Sequence, residues 1–349
     1  MKKIAYIEID THAEVAQDFM DIMQDSVGFH ADYYFSEKIK NQIRETGQNI
    51  FLSDSSMILE QLKQKRYDLV IIGTVHRYFN TFQVVIEKYN SAVIVHNINF
   101  MNISRWNLIK NIFKTDILYR SKLFWKEGLS QVPKVYKSAK HLLVLDEQLS
   151  SGRLQFMPVF YTRSFESQLK QDSVIVIPGG VSQKRRNYNH IFDTIRNLKT
   201  DEPFHFVFLG KAKGEELNQM TELSSVLPHH IRITFFSERI CPDEFEIWMQ
   251  QADVLWCPIR QETEFFSRKE IYGKTKMTGN LGDAVKYGKP AVFPENYPSQ
   301  SYDFIISEQE DIMGQFKMLK NASFNFQKRY AKEAVQERIE KILNQLAVI

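Results

Sequence analysis

Glu270-Ile-Tyr-Gly-Lys-Thr-Lys-Met-Thr-Gly-Asn-Leu-Gly-Asp283-Ala-Val-Lys-Tyr-Gly-Lys-Pro290 comes after an apolar run, Ala252-Asp-Val-Leu-Trp-Cys-Pro258. A strand leading into a Gly-rich, Lys-bearing loop and then a helix is how α/β proteins offer backbone N–H groups to a phosphate. Two carboxylates (Glu270, Asp283), two lysines (Lys274, Lys276) and two hydroxyls (Thr275, Thr278) lie in or beside this loop. The N–H groups from Gly279 to Leu281 complete a candidate anion nest. Such a mixture suits a ligand that is anionic at one end and polyhydroxylated at the other.

Outward from this segment, apolar strand-like runs alternate with helix-length amphipathic stretches. In the first half, strands are expected at 3–9, 67–73, 91–96 and 141–146, with helices at 13–23, 56–65 and 82–89. In the second half, strands at 172–177, 204–209, 231–236, 253–258 and 290–294 alternate with helices at 190–198, 242–251 and 281–287. Continuous apolar strands separated by helices imply parallel sheets covered on both faces. That many strands exceed one small doubly wound sheet, so the expected class is α/β with two Rossmann-like, doubly wound parallel-sheet domains. The chain turns polar at 160–172, which places the domains at 1–165 and 166–325. A charged amphipathic helix closes the chain, with Ala334, Val335, Ile339, Ile342 and Leu343 on its apolar stripe. Residues 326–349 are expected either to cap their own domain or to pack back on the first.

Composition narrows the function. A chain of 349 residues with 43% hydrophobic and 25% charged content reads as globular, and a net charge of +3 argues against wholesale nucleic-acid binding. Cys241 and Cys257 form neither a disulfide framework nor a metal-ligand spacing, so a reducing, cytoplasmic setting is expected and no metal site. The apolar run at the start is interrupted by Glu8 and Asp10 and reads as a first strand. No window approaches twenty uninterrupted apolar residues.

A second candidate loop is Ile175-Val-Ile-Pro178-Gly179-Gly180-Val-Ser182-Gln-Lys184-Arg185-Arg186-Asn187-Tyr188. Its glycines permit close backbone approach, and Arg185 or Arg186 could grip phosphate oxygens through paired hydrogen bonds. The alternative is a plain turn carrying a solvated basic run. Gly210 ends the next apolar run beside Lys211. In the first half, Asp10-Thr11-His12, Gly73-Thr-Val-His76 and Val95-His96-Asn97 each follow a strand. Histidine at such an edge can hydrogen-bond a sugar or act as a base, although a lone surface histidine does neither. Residues 105–140 hold nine Lys/Arg against two acids, interleaved with Trp106, Phe113, Phe124 and Trp125. This pattern suits an anionic membrane surface, and equally a basic helical pair packed on its own domain.

Asp283-Ala284 and Gly288-Lys-Pro290 resemble the second half of the donor-binding segment of GT-B glycosyltransferases, retaining group 1 or family 4-like enzymes of bacterial surface-polysaccharide synthesis. The resemblance implies two domains facing a cleft and a nucleotide-sugar co-substrate with no further cofactor. It also implies a glycan or lipid-linked glycan acceptor, and metal-independent transfer with retention. Donor contacts would fall on Gly179, Gly180, Ser182, Arg185, Arg186, Gly210, Lys274, Thr275, Lys276, Thr278 and Gly279. Acceptor contacts would fall on Asp10, His12 and His76, and catalysis on His96, Glu270 and Asp283. Two departures stand out: eight positions before Asp283 stands Thr275 in place of the family's Glu, and Val181 occupies its Arg position. They leave open a catalytically inactive GT-B-like protein that binds a nucleotide-sugar or a partner. The expected location is the cytoplasm, at the inner face of the cell membrane if 105–140 docks there.

Overall fold

The computed structural model describes residues 1–44, 47–163, 172–298 and 301–348. They form two compact units: unit 1 is Met1–Tyr161, Glu264–Met277 and Ala331–Ile349, and unit 2 is Thr162–Thr263 and Thr278–Tyr330. The boundary expected between 165 and 166 lies outside the described residues.

In unit 1, β1 (Lys2–Glu8), β2 (Phe29–Phe35), β3 (Ile50–Leu52), β4 (Leu69–Ile72), β5 (Ser91–Ile94), β6 (His141–Val144) and β7 (Leu154–Phe156) make one sheet. Their order is β3-β2-β1-β4-β5-β6-β7, and every pairing is parallel. Alternate residues of β1 divide between two cores, Ala5 and Ile7 on one face, Ile4 and Tyr6 on the other, as the two-residue period of a strand requires. The amphipathic helix Ala13–Met23 covers the second face with Ala16, Phe19 and Ile22. The sequence pattern passes over β2 because Asp32 interrupts it. That carboxylate is buried and accepts hydrogen bonds from Lys65 Nζ (2.8 Å) and Tyr67 Oη (2.6 Å), partners far along the chain.

Unit 2 begins with β8 (Ser173–Pro178), β9 (Phe204–Lys211), β10 (Ile231–Phe236) and β11 (Val254–Trp256). A hairpin of β12 (Glu262–Phe265) and β13 (Arg268–Ile271) follows, and from Glu264 its residues belong to unit 1. β14 (Ala291–Phe293) and β15 (Ile305–Ser307) complete the parallel sheet β10-β9-β8-β11-β14-β15. Trp256, Phe206, Phe208 and Phe316 fill its core, each contributing about 1.5–3 kcal/mol by burial. The polar end of Trp256 is satisfied through Nε1–H donation to Glu308 Oε2 (3.0 Å).

The helix Gly279–Tyr287 starts at Thr278, whose hydroxyl accepts from the Asn280 N–H (3.4 Å). It stops at Gly288, which sits at φ +59° and donates its N–H to the Ala284 and Val285 carbonyls. Gly288-Lys-Pro290 is therefore a helix stop leading into β14. The single helix expected at the close of the chain is two helices, Phe326–Tyr330 and Lys332–Leu346. Ala331 between them is extended (ψ 143°), and the Tyr330 carbonyl accepts from the Thr162 N–H (2.7 Å) instead of continuing a helical ladder. Val335, Ile339 and Leu343 of the second helix enter the core that holds Ile4 and Phe19.

Gly210 is required by close backbone approach. A Cβ there would lie 2.3 Å from the Gly179 carbonyl oxygen and 2.8 Å from the Gly180 nitrogen, whereas one at Gly180 meets open space. We expect Gly210→Ala to destabilise unit 2 by about 2 kcal/mol and Gly180→Ala to leave the thermal midpoint unchanged. Equal midpoints for the two variants in differential scanning calorimetry would refute this account of how the turn after β8 packs on β9.

Candidate active site

In an open parallel sheet, ligands bind beyond the carboxyl ends of the strands where the strand order reverses. That point lies between β1 and β4 in unit 1, and between β8 and β11 in unit 2. Each unit gathers polar side chains there.

In unit 2, β8 ends in the turn Pro178-Gly179-Gly180, with Gly179 at φ +101°. The Arg186 guanidinium occupies the space over this turn, since a Cβ on Gly179 would lie 2.3 Å from Arg186 Nη2. Nη1 donates to the Gly180 carbonyl (3.1 Å) and Nη2 to Asn280 Oδ1 (3.4 Å). Both acceptors are neutral oxygens, so the cation keeps its charge for an anionic group. Asn280, buried in the first turn of its helix, also donates from Nδ2 to the Pro178 carbonyl (3.3 Å) and Asp283 Oδ2 (3.4 Å). Beneath them lies the Cys257 thiol, whose pKa burial raises. Of the residues expected to hold a donor, Gly179, Gly180, Arg186, Thr278 and Gly279 belong to this edge, and Gly210 packs on its backbone; Asp283, expected in catalysis, lies there too. The Ser182 carbonyl accepts the N–H groups of Arg185 and Arg186 (3.0 and 3.1 Å), while the Arg185 side chain is exposed. Sequence reasoning missed Asn280; its signal was an amide in a helical first turn just after a glycine.

In unit 1 three histidines meet at the ends of β1, β4 and β5. The His12 ring stacks on His96 at 4.0 Å with an interplanar angle of 10°, and His76 meets both edge-on at 6.0 and 5.6 Å. His12 holds left-handed backbone (φ 64°) at the start of its helix, a conformation that costs a non-glycine residue free energy. His96 Nε2 lies 2.8 Å from the Gly73 carbonyl, so that nitrogen carries hydrogen and Nδ1 holds the lone pair. For His76 the assignment reverses. Lys276 Nζ donates to Asn97 Oδ1 (2.5 Å), which turns Asn97 Nδ2–H towards His76 Nε2 (3.0 Å). Nε2 must accept, leaving the hydrogen on Nδ1. Burial, then neighbouring positive groups, holds the pKa values of His76 and His96 well below the usual histidine range. Among the described residues, no group of three or more His, Cys, Asp or Glu is placed to hold a metal ion.

Glu8 lies at the same edge and was read only as an interruption of an apolar run. Its carboxyl accepts from Thr74 Oγ1 (2.6 Å) and from the N–H groups of Asp10 and Thr11 (3.2 Å each). Burial outweighs these donors and pushes its pKa up to about 8. Asp10 is likewise raised by burial, against the pull of Arg77 and Lys38.

The segment expected to hold the donor divides. Glu270, Lys274, Thr275 and Lys276 belong to unit 1. The Glu270 carboxylate is wholly buried and accepts the Phe100 N–H (2.8 Å) and Asn99 N–H (3.2 Å), an anchoring place and not one open to a reacting group. Thr275 Oγ1 accepts the Ile271 N–H (2.8 Å) and its carbonyl accepts the Ile98 N–H (2.9 Å). Lys274 is exposed, and Lys276 is engaged with Asn97. The intervening hairpin, unexpected from the pattern of residues 262–271, is what carries these residues into unit 1.

No protein-family model matches this sequence, and no curated protein matches it. Solved structures do. HepE of Anabaena in complex with UDP aligns over 99% of this chain and 100% of its own, with 11% identity and a TM-score of 0.61. This is the GT-B fold. The same GT-B architecture is seen in the lipopolysaccharide outer core galactosyltransferase WaaB, at 98% and 99% coverage, 10% identity and a TM-score of 0.55. It is seen again in the UDP-GlcNAc 2-epimerase of Methanocaldococcus jannaschii, at 98% and 99% coverage, 11% identity and 0.53. One of these acts by transfer and another by epimerisation, so GT-B architecture alone leaves the reaction open.

The depressed histidines give a pH signature. The unfolded chain takes up a proton on His76 near pH 6.5 and the folded site does not, so stability falls as pH drops through that value. His76→Gln keeps an acceptor for Asn97 but cannot titrate. We expect the thermal midpoint of the wild type to fall more steeply than that of His76→Gln between about pH 7 and 5. Parallel curves would show that the folded site accepts the proton as readily as the unfolded chain.

Proposed function

We propose that the chain is a glycosyltransferase that moves a sugar from a nucleoside-diphosphate donor to a glycan or lipid-linked glycan. The observation that carries this reading is the Arg186 guanidinium, seated over the side-chain-free Gly179 turn and held by Asn280 at the ligand edge of unit 2. A fixed cation with neutral acceptors is suited to a diphosphate, and it stabilises the negative charge that grows on the departing nucleotide. Asp283, in the first turns of the same helix, suits the hydroxyls of a ribose.

On unit 1 the proposed roles follow from the tautomers. His96 presents a lone pair on Nδ1 and would act as base towards an acceptor hydroxyl; His76 presents Nδ1–H and would donate to a sugar oxygen. Asp10 and His12 would complete the acceptor contacts. HepE with UDP supports a uridine donor, and WaaB, a lipopolysaccharide enzyme, supports a surface-glycan acceptor. The Asp283-Ala284 and Gly288-Lys-Pro290 pattern favours retention of configuration, and the basic groups of the site would serve where other transferases use a cation. A protein that binds a nucleotide-sugar without turning it over is the second reading, favoured by the buried state of Glu270, held by two backbone N–H groups.

Thermal-shift titrations with UDP, GDP, CMP and dTDP and their sugars test this proposal. One nucleoside diphosphate should raise the melting temperature selectively, and Arg186→Ala should abolish the rise while lowering kcat/KM by about 100-fold or more. Binding without hydrolysis or transfer would establish the inactive reading, and no shift with any nucleotide would overturn both.

A further inference from the structure

Of the large apolar side chains that the described residues leave exposed, a concentrated group lies on two short helices of unit 1, Arg105–Ile112 and Ile117–Lys126. Trp106 is 75% exposed, Phe113 69%, Leu118 90% and Trp125 80%, with Ile109 and Ile117 beside them in sequence. These side chains are not a core left unfinished. The inward faces of both helices are already filled: Leu108, Ile112 and Leu123 are buried in the unit 1 core. Arg120 Nη1 donates to the Asn111 carbonyl (2.5 Å) and Ser267 Oγ (2.8 Å), and Asn111 Nδ2 donates to the Phe266 carbonyl (2.9 Å). The pair is thus fastened to its own unit from within, and its second apolar face is outward.

Charge decides what that face meets. Arg105, Lys110, Lys122 and Lys126 on these helices and Lys114 in the link between them are exposed, against one exposed acid, Asp116. Lysine is depleted from the cores of protein–protein interfaces, whereas interfacial helices combine Trp, Phe and Leu with a rim of Lys and Arg. Exposed aliphatics such as Ile117 and Leu118 neither stack on bases nor bind phosphates, which disfavours a nucleic acid. Tryptophan prefers the headgroup level, and each basic residue near an anionic leaflet adds attraction that salt screens. We infer that the helices Arg105–Ile112 and Ile117–Lys126 form a docking face for an anionic lipid bilayer, with Trp106, Phe113, Leu118 and Trp125 entering the headgroup boundary. Such docking is independent of the reaction the site performs. No helix of the described residues is long and apolar enough to cross a membrane, so attachment would be to one leaflet.

Flotation of the full chain with phosphatidylglycerol–phosphatidylcholine vesicles tests the inference. The chain should float with these vesicles, at least about tenfold less with phosphatidylcholine alone, and progressively less as salt rises. Tryptophan emission should shift to the blue on binding, because Trp106 and Trp125 are solvent-exposed while Trp256 is buried already. The triple variant Trp106→Ala, Leu118→Ser, Trp125→Ala should lose about tenfold or more of the binding with an unchanged melting temperature. A second variant, Lys110→Gln, Lys114→Gln, Lys122→Gln, should lose the preference for anionic vesicles. Failure of the wild type to float at low salt, or equal flotation of the triple variant, would overturn the inference. So would a concentration-dependent dimer that the triple variant dissolves without any vesicle binding, which would make the face a contact between copies of the chain.

Discussion

The buried Glu270 carboxylate ties the β12–β13 hairpin to the chain that follows β5. A buried carboxylate is costly unless hydrogen bonds compensate it; here two backbone N–H groups, of Asn99 and Phe100, supply donors, and burial still raises its pKa. Those donors open the short helix that follows β5. The tie therefore fixes the end of β13 against the end of β5, and both neighbours of the tie inherit its precision. On one side, Phe265 lies against His76 at 4.4 Å and Phe266 stacks on Phe100 at 5.3 Å. On the other, Thr275 bonds the Ile98 N–H, and Lys276 reaches Asn97. The two turn residues of the hairpin, Phe266 and Ser267, both hold positive φ (50° and 53°) without being glycine. That strain persists because aromatic packing and Arg120 hold the turn in place.

The two ligand edges solve one electrostatic problem in opposite ways. Unit 2 places a permanent cation over a turn stripped of side chains, with its hydrogen bonds spent on neutral oxygens. Unit 1 gathers titratable groups and holds several of them towards their neutral forms. His76 and His96 are held below their ordinary range and Glu8 above it, so near neutral pH these three present dipoles and lone pairs beside the Lys276 ammonium. The chain Lys276, Asn97, His76 shows how a single ammonium settles a tautomer two groups away, because an ammonium can only donate. A polyhydroxylated molecule is read by such an arrangement of fixed donors and acceptors.

Much of the fold was legible because buried parallel strands leave continuous apolar runs, and β4, β5, β8 and β14 are of that kind. β2 was not legible, since its buried Asp32 looks like a surface residue until Lys65 and Tyr67 are brought beside it. Among candidate site residues, His12, His76 and His96 were readable from one rule, polar residues at the ends of strands, and the structure brings the three rings together. The donor segment was harder. Local pattern showed its glycines, lysines and helix stop, but nothing within 270–290 shows that Glu270 finds its donors at Asn99 and Phe100, or that Lys276 finds Asn97. Those contacts span more than 160 positions, beyond the reach of periodicity. The terminal helix failed as a single element for a related reason: its break at Ala331 is set by a carbonyl that bonds Thr162.

The order in which the chain is written also differs from the order in which its units can close. Unit 2 holds all its residues once Tyr330 has been made, whereas unit 1 waits for Val335, Ile339 and Leu343 to cover Ile4 and Phe19. The Lys2 side chain donates to the Asn344 carbonyl, 342 positions further along the chain. Multidomain chains generally close their first-made domain first. Here the face that β1 shares with Phe19 and Ile22 is only partly covered until Val335, Ile339 and Leu343 follow, so the first half carries exposed apolar surface while unit 2 can already close. This protein's burden on chaperones is therefore concentrated in the half that is made first.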